Sequence, residues 1–557
     1  MTHLRQTLVV AGHGMVGHRF VQAAIERGLT ERYDILVVGE EPRPAYDRVA
    51  LTSFFSAESA AELSLLPEGR YDDPRVRLLL DTRVDAVDRD ARTVTLSSGE
   101  TVGYDVLVLA TGAAPFVPPV PGHDLEGCFV YRTIEDLEAI RSAAGDAKVG
   151  AVIGGGLLGL EAANALHQLG LETHVVEMAP RLMPVQLDDA GGSALVRHIE
   201  KLGVRVHCGA ATQRVVERGG RAAGLELAEE TVDAEVVVFS AGIRPRDQLA
   251  RDCGLPVAER GGILVDEHCR TEDPRVFAVG ECAAPGGRMY GLVAPGYSMA
   301  EVVVDSLLGG DGAFTGADMS TKLKLLGVDV ASFGDAFATT PGALELVYAD
   351  AVTGVYKKLV ISEDAGQLLG GILVGDASAY GTLRPMVSSG IALPENPEEL
   401  ILPTARGGGA AAVGMPDEAV VCSCNNVTKA TICGAVDDGA CDTVACLKKC
   451  TKAGSTCGSC VTVVKNLLDE RLAAAGQVVA TGICEHFDLS RQELFDVIAV
   501  HGYRTFDDII TGHGRGRGCD VCKPAIASIL ASQLNSHVLD EGNVALQDTN
   551  DAYLANI

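Results

Sequence analysis

Apolar residues near the N-terminus form two short continuous runs separated by a helical pattern. The first run covers residues 7–11, the helical stretch ends near Gly28, and the second run begins at Ile35 and ends before Glu40. Short apolar runs bounded by turn residues are typical of strands that are buried on both faces of a parallel sheet. The pattern therefore predicts a strand, a helix and a second strand parallel to the first.

The same order of elements occurs again in the middle of the chain. An apolar run at residues 148–153 precedes a helical stretch that ends near Gly170, and another run covers residues 172–177. A second strand–helix–strand unit is therefore predicted here.

Beyond residue 316 the pattern changes to short apolar runs that alternate with turn residues. These runs cover residues 328–333, 355–361 and 368–374 and predict strands. Residues 407–414 are only glycine, alanine and valine, which favours a flexible linker, with a packed glycine-rich loop as the alternative.

Glycines occupy the turn of the first unit in the order G-x-G-x-x-G, at Gly12, Gly14 and Gly17. Such glycines let the backbone approach a pyrophosphate at a helix N-terminus, where the amides and the dipole favour negative charge. Glu40 lies 28 residues after Gly12, where a carboxylate accepts a hydrogen bond from a ribose hydroxyl. The unit is therefore predicted to bind a dinucleotide, and His13 is interpreted as a turn residue.

The second unit carries the same turn at Gly154, Gly156 and Gly159. Glu177 follows Gly154 by 23 residues and ends the second run. A carboxylate at this position pairs with a free 2′-hydroxyl and repels a 2′-phosphate, so NADH is predicted over NADPH. Arg181 lies close in sequence and weakens that preference.

Cysteines near the C-terminal end of the chain form two close pairs of unequal spacing. Cys422 and Cys424 make a C-x-C pair, and 32 residues separate it from the C-x-x-C pair of Cys457 and Cys460. Four thiolates suit a [2Fe–2S] cluster or a tetrahedral zinc ion. Zinc ribbons usually pair two C-x-x-C motifs across a shorter gap, so the spacing favours the cluster, with zinc and a disulfide pair as alternatives.

A second copy of this pattern consists of Cys484, His486, Cys519 and Cys522. The first and third ligand positions are 35 residues apart in both copies, which indicates an internal duplication. Histidine replaces one cysteine in the second copy. Cys₃His is a suitable ligand set for a cluster or for zinc, and a decayed repeat without metal is an equal alternative.

The length, charge and hydropathy of the chain limit which kinds of protein it can be. A chain of 557 residues is expected to form about four domains. Its 46 basic and 75 acidic residues give a net charge of −29, which argues against nucleic acid or an anionic membrane as a partner. No apolar run reaches the roughly 18 residues of a membrane span, so a cytoplasmic protein is predicted.

The 16 cysteines are not distributed like those of a secreted disulfide scaffold. Eleven of them lie between Cys422 and Cys522, where they cluster as ligands would. Four cysteines inside the first module are not in its ligand pairs and are interpreted as buried small residues or bystanders, namely Cys433, Cys441, Cys446 and Cys450.

Two dinucleotide turns about 140 residues apart suggest two cofactors, FAD and NADH. The chain here resembles the flavoprotein disulfide-reductase superfamily with two dinucleotide-binding domains. The resemblance implies a flavin domain at residues 1–118 and 246–315, with the NADH domain, residues 119–245, inserted into it. It also implies further cofactor-binding residues at Arg48, Thr111, Gly112, Gly242, Gly280 and Glu281.

One motif of that superfamily is missing. Its disulfide-reducing members carry a C-x₄-C pair after the first strand–helix–strand unit, and its peroxide-reducing members carry one cysteine there. Between residues 34 and 70 this chain has no cysteine, and Ser53, Phe54 and Phe55 occupy the corresponding region. Electrons that reach the flavin are therefore expected to leave through the cysteine module.

Segments at residues 131–137, 156–162, 291–297 and 320–329 resemble the large subunits of assimilatory NAD(P)H-dependent nitrite reductases. The resemblance covers the whole chain and implies a multidomain α/β protein with two Rossmann-like domains. It further implies a small α+β interface domain at 316–405 and α-rich, BFD-like modules at 418–472 and 479–535. Residues 536–557 are then a tail, and the siroheme and [4Fe–4S] region of the family would lie beyond it or in a partner.

The function implied by this resemblance is electron input to nitrite reduction, from NADH through FAD to the [2Fe–2S] cluster and then to siroheme. No catalytic base is predicted, and Glu161 is a weak candidate for contact with nicotinamide. A siroheme region or subunit, a small Rieske-like subunit and a second copy in a homodimer are the implied partners. Two alternatives are an electron-transfer subunit of assimilatory nitrate reductase and a non-catalytic redox or metal sensor.

Overall fold

The described residues of the computed structural model fall into two compact units, Met1–Lys465 and Asn466–Ile557. The predicted linker at 407–414 lies outside the described residues. The description covers residues 5–55, 59–66, 69–325, 327–389, 391–402, 415–422, 425–455, 460–475, 483–484, 486–487, 489, 491–519 and 521–534.

The first part of the chain forms a parallel sheet and a small antiparallel sheet. Its elements are β1 (Gln6–Ala11), α1 (Met15–Glu26), β2 (Tyr33–Val38), β3 (Val76–Leu79), β4 (Val84–Asp88), β5 (Thr93–Leu96), β6 (Thr101–Gly103), β7 (Val106–Leu109) and β8 (Ala113–Pro115). In the parallel sheet β1 lies between β2 and β7, and Leu8 pairs with both Ile35 and Val106. Leu8 and Phe20 of α1 are fully buried in one core, because a parallel sheet is covered on both faces.

The next part of the chain forms a second parallel sheet, in the order β12-β11-β10-β16-β9. Its elements are β9 (Cys128–Val130), α2 (Ile134–Ala144), β10 (Val149–Ile153), α3 (Leu157–Gln168), β11 (Glu172–Glu177), α4 (Asp189–Lys201), β12 (Arg205–Cys208), β13 (Arg214–Arg218), β14 (Arg221–Glu226), β15 (Thr231–Asp233), β16 (Val236–Phe239) and β17 (Ile243–Pro245). β17 pairs antiparallel with β8, with Pro245 opposite Ala113. The chain therefore enters and leaves this sheet through two adjacent strands.

The chain then returns to the first sheet. Its elements here are α5 (Gln248–Asp252), β18 (Ile263–Val265), β19 (Val276–Ala278), β20 (Ala283–Pro285) and α6 (Val293–Leu308). β19 pairs with β7, with Val276 opposite Leu107, and completes the order β19-β7-β1-β2-β3. The first sheet is thus built from two parts of the sequence on either side of the second.

Residues 321–389 form an antiparallel sheet of five strands and one helix. The elements are β21 (Thr321–Leu325), β22 (Val328–Gly334), β23 (Leu344–Asp350), β24 (Val355–Ile361), β25 (Leu368–Val374) and α7 (Tyr380–Ser389). β24 and β25 are almost wholly buried, whereas the edge strand β23 leaves Leu344 47% and Val347 54% exposed. Tyr356 of β24 donates a hydrogen bond to Asp188 at 2.8 Å, at the start of α4.

The first cysteine module contains a short hairpin and three helices. These are β26 (Val420–Cys422), β27 (Val427–Thr428), α8 (Lys429–Asp437), α9 (Val444–Thr451) and α10 (Val461–Ala474). Thr428 and Thr443 cap α8 and α9, because their hydroxyl oxygens accept backbone N–H groups from Thr431 and Cys446.

The second unit begins within α10 and contains three further described helices, α11 (Arg491–His501), α12 (Phe506–His513) and α13 (Cys522–Leu534). Its small core includes Phe487, Ile498, Ile509 and Ile526, all fully buried. Across all the described residues, none of the helices has the length and hydropathy that a membrane span requires. The predicted multidomain α/β class is confirmed.

Candidate functional site

A cavity of about 1090 Å³ lies at the carboxyl ends of β1, β2, β7 and β19. Ligands of open parallel sheets bind at this edge, where strand ends and helix N-termini meet. Most of the residues predicted for the flavin line this cavity, namely Gly12, Gly14, Glu40, Arg48, Thr111, Gly112, Gly280 and Glu281.

The glycine turn before α1 combines two close backbone contacts with one open position. Gly12 has φ +117°, and a Cβ there would lie 2.2 Å from the carbonyl oxygen of Ala110. A Cβ on Gly17 would lie 2.2 Å from the carbonyl oxygen of Gly12. A Cβ on Gly14 would meet nothing within 4 Å, so this position faces free space. The turn therefore forms a cradle that suits a pyrophosphate beside the N-terminus of α1.

The turn before α3 has the same construction. Gly154 also has φ +117°, with a Cβ position 2.3 Å from the carbonyl oxygen of Ser240, and Gly159 packs against Gly154. Gly156 faces open space. All three glycines lie outside the lining of the large cavity, although Leu157 and Leu158, at the start of α3, are part of it.

Glu177 lies beside this second cradle, at the end of β11. Its two carboxylate oxygens accept the backbone N–H of Gly155 at 2.6 Å and that of Ala179 at 2.7 Å. Each oxygen keeps a lone pair for a further donor such as a ribose hydroxyl. Arg181 is engaged elsewhere, because its guanidinium donates to Asp189 and to the carbonyl of Leu187, both at 2.7 Å.

The charged residues predicted for the flavin site are all paired with opposite charges. Glu281 accepts from Arg132 at 2.5 Å, and Glu40 pairs with Arg246. Arg48 pairs with Glu41 and also donates to the carbonyl of Arg132 at 3.0 Å. These pairs fix the side chains in the cavity.

Arg132 and Arg246 also line the cavity and were missed in the sequence analysis. Arg132 lies within the segment 131–137, which was noted for its family resemblance, and Arg246 begins the predicted flavin stretch 246–315. In sequence, however, Arg132 is 149 residues from Glu281 and Arg246 is 206 residues from Glu40. Local spacing gives no signal for pairs that only the tertiary fold brings together.

Glu161 of α3 reaches the same cavity together with Leu157 and Leu158. Its Oε2 atom is buried and has no hydrogen-bond partner among the residues that the structure describes. Burial raises the pKa of the Glu161 carboxyl to about 7. A buried polar oxygen that faces a cavity without a partner indicates that a ligand atom completes the site, and a flavin with a nicotinamide beside it fits this requirement.

His13 lies in the first glycine turn, where both nitrogens of its ring have polar partners. Its Nδ1 accepts the backbone N–H of Ala45 at 3.2 Å, and its Nε2 is 2.9 Å from the hydroxyl of Tyr71. The same hydroxyl is 2.9 Å from Nδ1 of His18. Burial lowers the pKa of His13 to about 3 and that of His18 to about 4, so both rings are neutral at pH 7.

Two of the four predicted ligands of the first cysteine module are described, and the structure brings them together. Cys422 and Cys460 are both buried. The pKa of Cys422 is lowered to about 6, mainly by a hydrogen bond with Cys460 and then by the backbone N–H groups of Gly454 and Asn425. Such donors favour the thiolate that iron requires. Cys424 and Cys457 lie outside the described residues.

The interpretation of the other thiols in this module, as buried residues or bystanders, did not include the contacts that three of them make with one another. Cys433 is buried as expected, but Cys441 and Cys446 form a disulfide, and Cys450 is exposed. The Sγ atom of Cys450 lies 2.9 Å from that of Cys441. The C-terminal turn of α9 and the loop before it bring these three residues together, which their sequence spacing alone did not reveal.

The second set of predicted ligands is gathered in the second unit. The donor atoms of Cys484, His486, Cys519 and Cys522 all lie within 4.8 Å of one another. The prediction that these four residues meet at one point therefore agrees with the structure.

Three known families match successive parts of the chain. The pyridine nucleotide-disulphide oxidoreductase family matches residues 6–302, and the rubredoxin NAD+ reductase C-terminal domain matches residues 320–391. The BFD-like [2Fe-2S] binding domain matches residues 420–470. These matches confirm FAD, NADH and a [2Fe–2S] cluster as the predicted cofactors.

Two curated relatives extend along nearly the whole chain. The nitrite reductase (NADH) large subunit of Escherichia coli (strain K12) is 51% identical over 99% of this chain and 65% of its own length. The assimilatory nitrate reductase electron transfer subunit of Bacillus subtilis (strain 168) is 31% identical over 94% of this chain and 67% of its own length. The chain thus spans about two thirds of each relative.

A solved structure resembles the flavin and nucleotide part. The ferredoxin reductase for the CYP199A2 system from Rhodopseudomonas palustris is 26% identical, with a TM-score of 0.63. The match covers 71% of this chain and 97% of that protein.

Proposed function

The chain belongs to the pyridine nucleotide-disulphide oxidoreductase family, and from this premise we propose that it is the electron-input part of an NADH-dependent nitrite reductase. In this proposal electrons pass from NADH through FAD to a [2Fe–2S] cluster and then to a siroheme and [4Fe–4S] centre. The single observation that carries the proposal is 51% identity to a nitrite reductase (NADH) large subunit over 99% of this chain.

The first glycine turn and its surroundings are proposed to hold FAD. Gly14 leaves room for the pyrophosphate, and the N-terminus of α1 favours its charge. The pair of Glu281 and Arg132 would fix the polar part of the flavin, and Glu40 would accept from its ribose. When bound, FAD and the cluster supply the conversion of two-electron hydride chemistry into single-electron transfer.

The second glycine turn is proposed to hold NADH. The space at Gly156 admits the pyrophosphate, and Glu177 accepts a hydrogen bond from the adenosine ribose. Glu161 is proposed to contact the nicotinamide carboxamide, because its buried Oε2 atom has no partner within the described part of the chain. This contact would orient the ring against the flavin site.

Electrons are proposed to leave the flavin site through the first cysteine module, in which the cluster ligands would be Cys422, Cys424, Cys457 and Cys460. Residues 51–55, where related flavoproteins carry reactive thiols, form a short 3₁₀ helix in which Phe54 is buried. Thr52 there is 3.2 Å from the hydroxyl of Tyr131, and the Arg141 guanidinium lies 4.0 Å from the centre of the Phe54 ring, so packing and polar contacts hold the segment.

The predicted domain boundaries remain part of the proposal, with FAD at 1–118 and 246–315 and NADH at 119–245. The interface domain would be 316–405, and the cysteine modules 418–472 and 479–535. A homodimer through the interface domain is supported by the edge strand β23, which exposes Leu344 and Val347. A small Rieske-like subunit is proposed as a further partner, on the family resemblance.

The choice of acceptor tests the proposal. The anaerobic chain with NADH should drive nitrite to ammonium when a siroheme and [4Fe–4S] protein is added, and ammonium is the readout. A control without this chain should produce no ammonium. Electron delivery to a molybdenum-containing nitrate reductase but not to the siroheme protein would contradict the proposal.

A second candidate function is electron transfer to assimilatory nitrate reductase. It is favoured by the identity of 31% to the Bacillus subtilis electron transfer subunit over 94% of this chain. The same experiment separates the two candidates, because nitrite would be the product of nitrate reduction rather than the substrate.

A further inference from the structure

The second cysteine module holds four metal-binding side chains in a compact arrangement. Cys484 Sγ lies 3.7 Å from His486 Nδ1, and Cys519 Sγ lies 3.8 Å from Cys522 Sγ. All four donor atoms lie within 4.8 Å of one another. Three thiols and one imidazole at these separations form a tetrahedron that one metal ion can fill.

The separations distinguish one metal ion from two. A tetrahedral zinc ion with Zn–S bonds of about 2.3 Å and Zn–N bonds of about 2.0 Å places its donors roughly 3.5–3.8 Å apart. A [2Fe–2S] cluster divides its four protein ligands between two irons, so the two ligand pairs are spread farther apart. The distances of 3.7 and 3.8 Å lie within the two sequence pairs and suit two ligands of either centre, whereas the bound of 4.8 Å on every distance between the pairs matches a mononuclear centre.

Backbone N–H groups near these side chains donate hydrogen bonds to the sulfur atoms. The N–H of His486 donates to Cys484 Sγ at 3.4 Å, and the N–H of Cys519 donates to Cys522 Sγ at 3.1 Å. Cys522 is the first residue of α13, where the helix dipole favours a negative sulfur. One sulfur of each ligand pair therefore accepts a backbone N–H group, an interaction that favours the thiolate form in which cysteine binds a metal.

The loop that precedes Cys519 lies against His486. The N–H of Arg515 donates to the carbonyl of His486 at 2.9 Å. Gly516 has φ +72°, and a Cβ there would come within 3.1 Å of the His486 ring. The glycine therefore allows the loop to pass close to the imidazole and hold it in place.

We propose that Cys484, His486, Cys519 and Cys522 bind one zinc ion as a closed structural site. Four protein ligands leave no open position for a substrate, which is the arrangement of structural rather than catalytic zinc. The described part of this unit has a small apolar core around Phe487 and Phe506, and domains of this size usually need a metal or another crosslink for stability. The proposal is independent of the acceptor that the chain serves.

Metal analysis of the purified full chain tests this assignment. We expect about one zinc in addition to about two irons per chain. His486→Ala and Cys519→Ser should each remove the zinc while leaving the iron content and the reduction of flavin by NADH unchanged. His501→Gln, which changes an exposed histidine of the same unit, should keep the zinc. X-ray absorption at the zinc edge should give three sulfur ligands and one nitrogen ligand.

Three results would overturn the proposal. About four irons per chain, half of them lost in Cys519→Ser, would place a second dinuclear cluster here. Zinc content that is unchanged in both ligand variants would place the metal elsewhere, and a chain purified with iron but without zinc would exclude the site. If the variants fail to fold, the absorption spectrum of the unmodified chain still decides between the ligand sets.

Discussion

The two glycine turns have nearly the same backbone but differ in what surrounds them. In each turn the first glycine has φ +117° and the middle glycine faces open space. The acid of the first turn, Glu40, pairs with Arg246 from a distant part of the chain, whereas Glu177 is held by two nearby backbone amides. The acid of the first turn is therefore positioned by a tertiary contact, whereas that of the second is positioned by its own local backbone.

The largest effect is expected from the first turn itself. Gly12→Ala should destabilise the fold by at least about 3 kcal/mol and abolish flavin binding, because a Cβ would lie 2.2 Å from the carbonyl oxygen of Ala110 in a left-handed region. Thermal unfolding and the flavin-to-protein ratio are the measurements. Gly14→Ala, with no atom within 4 Å, should keep the fold and lose only flavin affinity. Equal loss of stability in both variants would refute the cradle geometry.

In the second turn, we expect the effect to come from loss of the acidic side chain and not from a change in the fold. Glu177→Gln should lower kcat/KM for NADH by about tenfold, equivalent to about 1.4 kcal/mol, because a charged acceptor for the ribose is lost. The flavin content should stay constant. Glu172→Gln, at the opposite end of the same strand, is the matched control and should change neither. A variant that keeps its preference for NADH over NADPH would show that Glu177 does not select the nucleotide.

The first turn should also be sensitive to acid, because it contains His13 where the second contains Gly155. The folded pKa of His13 is about 3, below its ordinary 6.5, so unfolding binds a proton between these values. Stability contributed by the neutral ring is complete above pH 6.5 and is lost progressively as the pH falls toward 3. His13→Gln should flatten the dependence of stability on pH in denaturant titrations, and His123→Gln, an exposed histidine, should not. An unchanged slope in His13→Gln would contradict the assignment.

The smallest effect is expected at Glu161, between the two sites. Since burial raises its pKa to about 7, and a carboxamide N–H favours the ionised form, KM for NADH should fall as the pH rises through about 7. Glu161→Gln should remove this pH dependence with a change of about threefold or less in kcat. Glu138→Gln, an exposed carboxyl on α2, should retain it. A pH profile that persists in Glu161→Gln would assign the titration to another group.

The strands and turns that position both cradles could be predicted from the sequence, because they depend on local pattern. Runs of buried apolar residues gave β1, β10 and β11 to within one residue, and the three-glycine spacing located the turns. The edge strand β23 was not predicted, since its residues are alternately exposed and form no apolar run.

The contacts that complete the flavin site could not be predicted in the same way. Arg132 and Arg246 act on Glu281 and Glu40 across 149 and 206 residues of sequence. Likewise, the disulfide of Cys441 and Cys446 depends on how α9 packs, and a motif search for metal ligands does not detect it. The local sequence pattern therefore locates a site, whereas tertiary packing determines which charged side chains and thiols reach that site.

The central claim is that electrons enter from NADH at the second glycine turn. They then leave one at a time through the iron that the first cysteine module holds. Electron paramagnetic resonance of the anaerobic, NADH-reduced chain tests it most directly, with Cys460→Ser beside the unmodified protein. The account predicts a reduced [2Fe–2S] signal that disappears in Cys460→Ser while the flavin is still bleached by NADH. A chain that contains flavin but shows no iron signal, or a signal that survives in Cys460→Ser, would contradict it.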